Sequence, residues 1–200
     1  MPVVIPVYFD YASSLCFIAS VIGSQLEADL DIRLEWRPVE IASHHPSWRA
    51  GALIPADVRA NILRVASETG VALDPPLRWL DSRAAALGAC FARDHRMFPA
   101  YHQRVFAAAF REGRDIGDPN VLDDLAVAAG LPRADFATAL QKGTYAGALE
   151  ASLAEARALG VTGYPTFFLG EFPLSGIQPL PTMRLLFQRY LDRQVTRLVH

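Results

Sequence analysis

The first apolar run, Val3 to Tyr11, is rich in β-branched and aromatic side chains and is broken only by Asp10. It predicts a strand buried on both faces of a sheet. Ser14 to Ala28 follows, apolar almost all round through Leu15, Phe17, Ile18, Val21, Ile22 and Leu26, and predicts a helix packed on that sheet. Ile32, Leu34 and Trp36 then alternate with Arg33, Glu35 and Arg37 before Pro38, the period-2 signature of a second strand. A strand, helix and strand of these lengths make a right-handed parallel crossover.

From Ala42 to about Gly160 the period becomes helical, punctuated by Gly and Pro, with no convincing strand. Helices are expected at Ala56 to Thr69, Ser82 to Arg93, Pro99 to Glu112, Asp118 to Ala129, Arg133 to Gln141 and Tyr145 to Leu159. Asp118-Pro119 supplies an N-cap followed by proline at the first helical position, and Gly70, Gly130 and Gly160 stand where helices end. Strands return at Thr166 to Leu169 and Phe172 to Leu174, joined by the Gly170-Glu171 pair that suits a tight hairpin. Pro173 removes a ladder donor, so that last strand belongs at an edge. Leu180 to Arg197 closes the chain as an amphipathic helix.

The pattern therefore predicts an α/β fold in which residues 1–41 and 160–200 form one domain and residues 42–159 an all-helical insertion. With 200 residues, 52% of them hydrophobic, the chain can bury a substantial core. A net charge of -2, without a basic stripe, argues against nucleic acid or anionic lipid as partner. No run of about 18 uncharged apolar residues predicts a membrane span. The first eight residues lack the charged start and apolar core of a secretory signal, so a cytoplasmic location is expected.

Cys16 and Cys90 are the only cysteines, too few for a disulfide framework or a cysteine zinc site. His44, His45, His95, His102 and His200 show no ligand-forming spacing, so no metal is expected.

Chemistry concentrates at two places. Ser13-Ser14-Leu15-Cys16 falls where the first strand runs into the first helix, whose free N–H groups and positive dipole end favour a thiolate or other anion. Gly163-Tyr164-Pro165-Thr166 opens the third strand. Phe9 to Ala19, reading FDYASSLCFIA, resembles the F-D-x-x-C-P-x-C-[YW]-[IL]-[AG] start of DsbA-family thioredoxin-fold proteins, in particular their FrnE-like branch. Trp36 to Ile41, Phe110 to Asp118 with Val121-Leu122 and Leu125-Ala126, Leu159 to Phe167, and Ser175 to Gln178 are similar to that branch as well.

The resemblance implies a thioredoxin-like fold with a helical insertion, and a cis peptide bond at Tyr164-Pro165, an X-Pro step where cis is least costly. It also implies an attacking cysteine at the position held here by Ser13 and a resolving cysteine at Cys16. Disulfide exchange needs a thiolate attacking sulfur. With a hydroxyl at Ser13, ordinary dithiol turnover is not expected. Ser14 stands where the family has proline.

Serine at this first position is the arrangement of two relatives, the kappa-class glutathione transferases and the 2-hydroxychromene-2-carboxylate isomerases. There the hydroxyl holds the sulfur of glutathione. Those relatives carry an Asp-Arg pair after the last strand, where this chain has Ile177-Gln178-Pro179.

The implied catalytic set is Ser13, Cys16 and Pro165, with Ser14, Tyr164, Thr166 and Arg83 as substrate-binding candidates. The partner is a small thiol or a peptide thiol. No tightly bound cofactor is implied, with glutathione as the candidate ligand, and a homodimer stays open. Enzyme and binding protein are both compatible with the residues. So are two readings for each of several side chains: Cys16 as thiol or packing, Cys90 as remote thiol or packing, Arg83 as anion site or solvated helix start, and Trp48, Trp79 and Phe98 as cleft or core.

Overall fold

A computed structural model describes residues 1–43 and 47–198. His44, His45 and His200 lie outside them. The elements in chain order are β1 (Val3–Phe9), α1 (Ser14–Asp29), β2 (Ile32–Pro38), a short 3-10 turn at Ile41–Ser43, α2 (Ala56–Thr69), α3 (Arg83–Asp94), α4 (Phe98–Phe110), α5 (Pro119–Ala128), α6 (Arg133–Gln141), α7 (Ala146–Ala158), β3 (Thr166–Leu169), β4 (Phe172–Ser175) and α8 (Leu180–Leu198). The sheet order is β2-β1-β3-β4. β1 runs parallel to β2 from Val3 opposite Ile32 to Phe9 opposite Pro38, and antiparallel to β3, with Tyr8 opposite Thr166.

Every expected element is present, each end within two residues of its expected place. β1 stops at Phe9 rather than Tyr11, because the Asp10 carboxylate accepts from the backbone N–H groups of Ala12 and Ile41 and turns the chain out of the ladder. It is also not buried throughout: Val4 is 42% exposed. β3 pairs with β1 only at Val7 and Tyr8, which leaves the first half of β1 with β2 as its ladder neighbour.

Pro173 lies on the edge strand β4, where its missing donor breaks no inner ladder. Gly70, Gly130 and Gly160 follow α2, α5 and α7 with φ of 69, 86 and 72°, the left-handed ends that glycine permits. In the helical segment, a bridge between Leu53 and Arg78 departs from the all-helical expectation.

The helices inserted between β2 and β3 share their core with the sheet. The Phe9 ring meets Trp36 at 5.6 Å on the sheet, and His102 at 4.8 Å and Phe106 at 5.9 Å on α4. α3 and α4 close tightly because Gly88 has no side chain. A Cβ there would stand 2.8 Å from Cζ of Tyr101 and 2.9 Å from the Phe136 ring.

Candidate active site

The site begins at the end of β1. Asp10 is 1% exposed; its Oδ1 accepts from Ala12 N at 2.7 Å and its Oδ2 from Ile41 N at 2.6 Å. A further hydrogen bond reaches it from the Ser82 side chain. One carboxyl thus ties β1 to the loop after β2 and to the start of α3. Its own carbonyl accepts from Ser13 N at 3.1 Å, which sets the turn into α1.

Ser13 is the N-cap of α1, with φ -94° and ψ 114°, and its Oγ accepts from Cys16 N at 3.3 Å. A short side chain with an acceptor oxygen is what a helix start selects, since the first four N–H groups have no partner in the helix. Cys16, three residues on, is wholly buried and unpaired by any disulfide.

Burial pushes the Cys16 thiol up to about 12; hydrogen bonds from Ser13 and the Asp10 backbone pull it down only in part, and the Asp10 charge raises it further. The helix start was expected to favour a thiolate. Desolvation outweighs it, so Cys16 is a neutral thiol at physiological pH. Burial likewise raises Asp10 from 3.8 to about 6, against the three hydrogen bonds that lower it.

The third strand brings the second half of the site. Thr166, opposite Tyr8 in the antiparallel pairing with β1, directly follows the Tyr164-Pro165 step. The Tyr164-Pro165 bond is cis. Tyr164 is 8% exposed, and burial first, then the charges of Asp10 and Cys16, push its hydroxyl up to about 12. Asp10, Cys16 and Tyr164 are therefore electrostatic neighbours, with Ser13 beside Cys16.

Ser14, the first residue of α1, is buried. Pro165 is buried, and its carbonyl accepts from Gly176 N at 2.7 Å. The Thr166 hydroxyl is buried between Gly163 O at 2.7 Å and Ser175 Oγ at 2.9 Å, so this side chain locks the hairpin. Arg83 begins α3, and its guanidinium donates to Glu40 at 2.6 Å. Its charge is paired at the rim.

Cys90 is half-buried and free, its thiol raised by burial. Trp48 and Trp79 stack on each other at 4.4 Å, and Phe98 stacks on His102 at 4.9 Å. Among the described residues no group of three or more His, Cys, Asp or Glu is placed to hold a metal ion, and no helix is long and apolar enough to cross a membrane.

Asp10 and Ser82 were not among the candidate site residues. Two signals pointed to Asp10: it is the acid of the F-D-x-x-C resemblance, and it interrupts a strand otherwise fit for burial.

With Ser13 at the head of α1 and the cis proline across the sheet on view, the comparison with known proteins becomes specific. The model of the DSBA-like thioredoxin domain matches residues 4–188. The chain belongs to this family. Its relatives include YwbO of Bacillus subtilis strain 168, itself uncharacterized, at 29% identity across 88% of this chain and 91% of that one.

Among solved structures, a 2-hydroxychromene-2-carboxylate isomerase superposes with a TM-score of 0.79 at 21% identity, covering 98% of each chain. A probable DsbA oxidoreductase from Streptomyces coelicolor follows at 0.76 and 21% identity, over 94% of this chain and 90% of that one. The cytosolic disulfide reductase DsbM from Pseudomonas aeruginosa, solved with GSH, gives 0.66 at 19% identity, over 99% of this chain and 100% of that one. These likenesses establish the fold: this DSBA-like chain has the thioredoxin-type sheet with helices inserted between β2 and β3.

Proposed function

We propose that this DSBA-like protein binds a small thiol at the head of α1, with the Ser13 hydroxyl donating to the ligand's sulfur, and that it does not cycle a dithiol. The observation that carries the reading is Ser13 itself: an N-cap serine at the attacking position, beside a thiol that is wholly buried and pushed up to about 12. The Ser13 oxygen accepts from Cys16 N, so its O–H remains as the donor.

In the resting site that donor faces the Cys16 sulfur. An arriving thiolate takes Cys16's place as acceptor and gains the positive end of α1. The backbone at the cis Tyr164-Pro165 step docks the extended part of the ligand. Such a site works on reduced thiols, so we place the protein in the cytoplasm, and no tightly bound cofactor is needed.

Glutathione is the first probe. Titrated against the labelled protein, it is expected to shift the Ser13 amide in a saturable way. Ser13→Ala should weaken binding about 10- to 100-fold, the worth of a hydrogen bond to a charged group. Cys16→Ser should leave binding unchanged. No movement at Ser13, or insulin reduction by the unaltered protein at the rate of a Cys-x-x-Cys relative, sinks the proposal.

The converse variant, Ser13→Cys, restores two thiols at this spacing. It is expected to gain dithiothreitol-driven insulin reduction that the parent lacks. A second reading, glutathione-dependent isomerisation or transfer, is favoured by serine at this position. It requires glutathione-dependent turnover that disappears in Ser13→Ala.

A further inference from the structure

One free edge of the sheet carries a surface that the thiol site does not use. β4 is the outermost strand on that side, and its first residue, Phe172, is 67% exposed beside the turn of the β3–β4 hairpin. The turn lies against α8 through Gly170, where a Cβ would stand 3.4 Å from the Tyr190 ring. A groove of about 610 Å³ runs between hairpin and helix, with room for an aromatic side chain.

α8 meets this groove with two rows of side chains. Residues four apart share a helix face, so Leu186, Tyr190 and Gln194 form an inner row, half-buried beside the hairpin. Leu185, Arg189 and Arg193 form the outer row, all of them exposed. Glu171, next to Phe172, stands on the hairpin wall and is exposed as well. Arg184, earlier on α8, is paired with Asp29. Glu171, Arg189 and Arg193 have no ion-pair partner among the described residues, not even one another.

An apolar knob, a groove and unpaired charges of both signs thus share one patch. In a two-fold dimer the same patch serves both copies, so every feature must find its complement within the patch itself. This one does: the ring matches the groove, and the carboxylate matches the guanidinium pair. A partner of a single charge would set either Glu171 or the two arginines against its like.

We propose that two copies of this chain associate through the hairpin and α8, with Phe172 of each seated in the groove of the other and Glu171 set against Arg189 and Arg193 of the second copy. The Phe172 ring supplies the affinity, as buried aromatic anchors do at protein interfaces. Charges at the rim add little strength and instead fix the register. Pro173 offers no N–H and blunts the strand edge. The copies therefore meet through side chains rather than by joining their sheets.

The test is sedimentation velocity on the full chain from about 1 to 100 µM, where a monomer–dimer equilibrium is expected in the micromolar range. Phe172→Ser, at an exposed position, should weaken it by at least about tenfold. Glu171→Arg, and separately the pair Arg189→Glu with Arg193→Glu, set like charges against like and should each sediment as monomers. Mixed in equal amounts, these two variants should dimerise again, because each then meets the opposite charge.

The proposal is overturned if the parent chain stays monomeric throughout, or if Phe172→Ser leaves a dimer undiminished, which assigns the contact to another surface. It also falls if the mixed charge variants stay monomeric while each keeps the parent's circular dichroism spectrum. Glutathione binding is read at the Ser13 amide and involves none of these residues, so the two proposals fail independently.

Discussion

Replacing one sulfur by oxygen at Ser13 changes the chemistry while leaving the helix start intact, because serine caps α1 through its Oγ as a good N-cap should. Cys16 is then a thiol without a partner. Wholly buried and raised to about 12, it should resist alkylation of the native protein long after half-buried Cys90 has reacted. Site-resolved mass spectrometry checks this, and rapid labelling at Cys16 would restore a redox reading. Asp10 couples folding to pH. Its rise from 3.8 to about 6 means that the fold binds its proton more tightly than the unfolded chain does. Stability from this group is present below about pH 4 and is lost as pH climbs through 6, a difference of about 3 kcal/mol by neutral pH. Asp10→Asn should remove that slope, so denaturant midpoints of the two proteins should converge or cross as pH rises from 4 to 7. A pH-independent gap between them would refute the assignment.

Element packing shows why some positions tolerate no side chain. Gly88 on α3 faces Tyr101 and Phe136, and an added Cβ would sit 2.8 Å from the Tyr101 ring. Gly88→Ala favours the helix by propensity, by about 1 kcal/mol, yet overpacking of this kind costs about 1–3 kcal/mol. A net fall in Tm is therefore expected, and a rise in thermal melting would show that α3 and α4 can part without loss. The hairpin of β3 and β4 follows the opposite logic. Its register is fixed by Phe168 opposite Pro173 and by Thr166 hydrogen-bonded to Ser175, so the cis Tyr164-Pro165 step sits at the entrance of a braced strand.

At the scale of the molecule, the helical segment is continuous with the sheet's core. Phe9 and Trp36 from the strands interlock with His102 and Phe106 from α4, and Asp10 links β1 to Ser82 at the head of α3. Loss of such shared packing cannot be confined to one part. Urea unfolding followed by tryptophan fluorescence and by far-UV circular dichroism should give coincident transitions, although residues 42–159 read as a separate insertion along the chain. Two resolved transitions would speak instead for residues 42–159 as a separate unit. Phe106→Ala should lower the common transition by about 3–5 kcal/mol, as removal of a buried aromatic does.

Local order supplied the elements: alternation for β2, an all-round apolar run for α1, and Gly, Pro and Asp at the ends of α2, α5 and α7 announced themselves because these preferences act over a few neighbouring residues. Ser13, Cys16 and Pro165 were marked by the resemblance of their motifs to the family's. What lay beyond it depends on residues far apart in the chain. Asp10 meets Ile41 and Ser82, Cys16 is sealed from water, and Arg83 is claimed by Glu40. Desolvation is a property of the packed assembly, and only that assembly decided that the helix start would hold a neutral thiol.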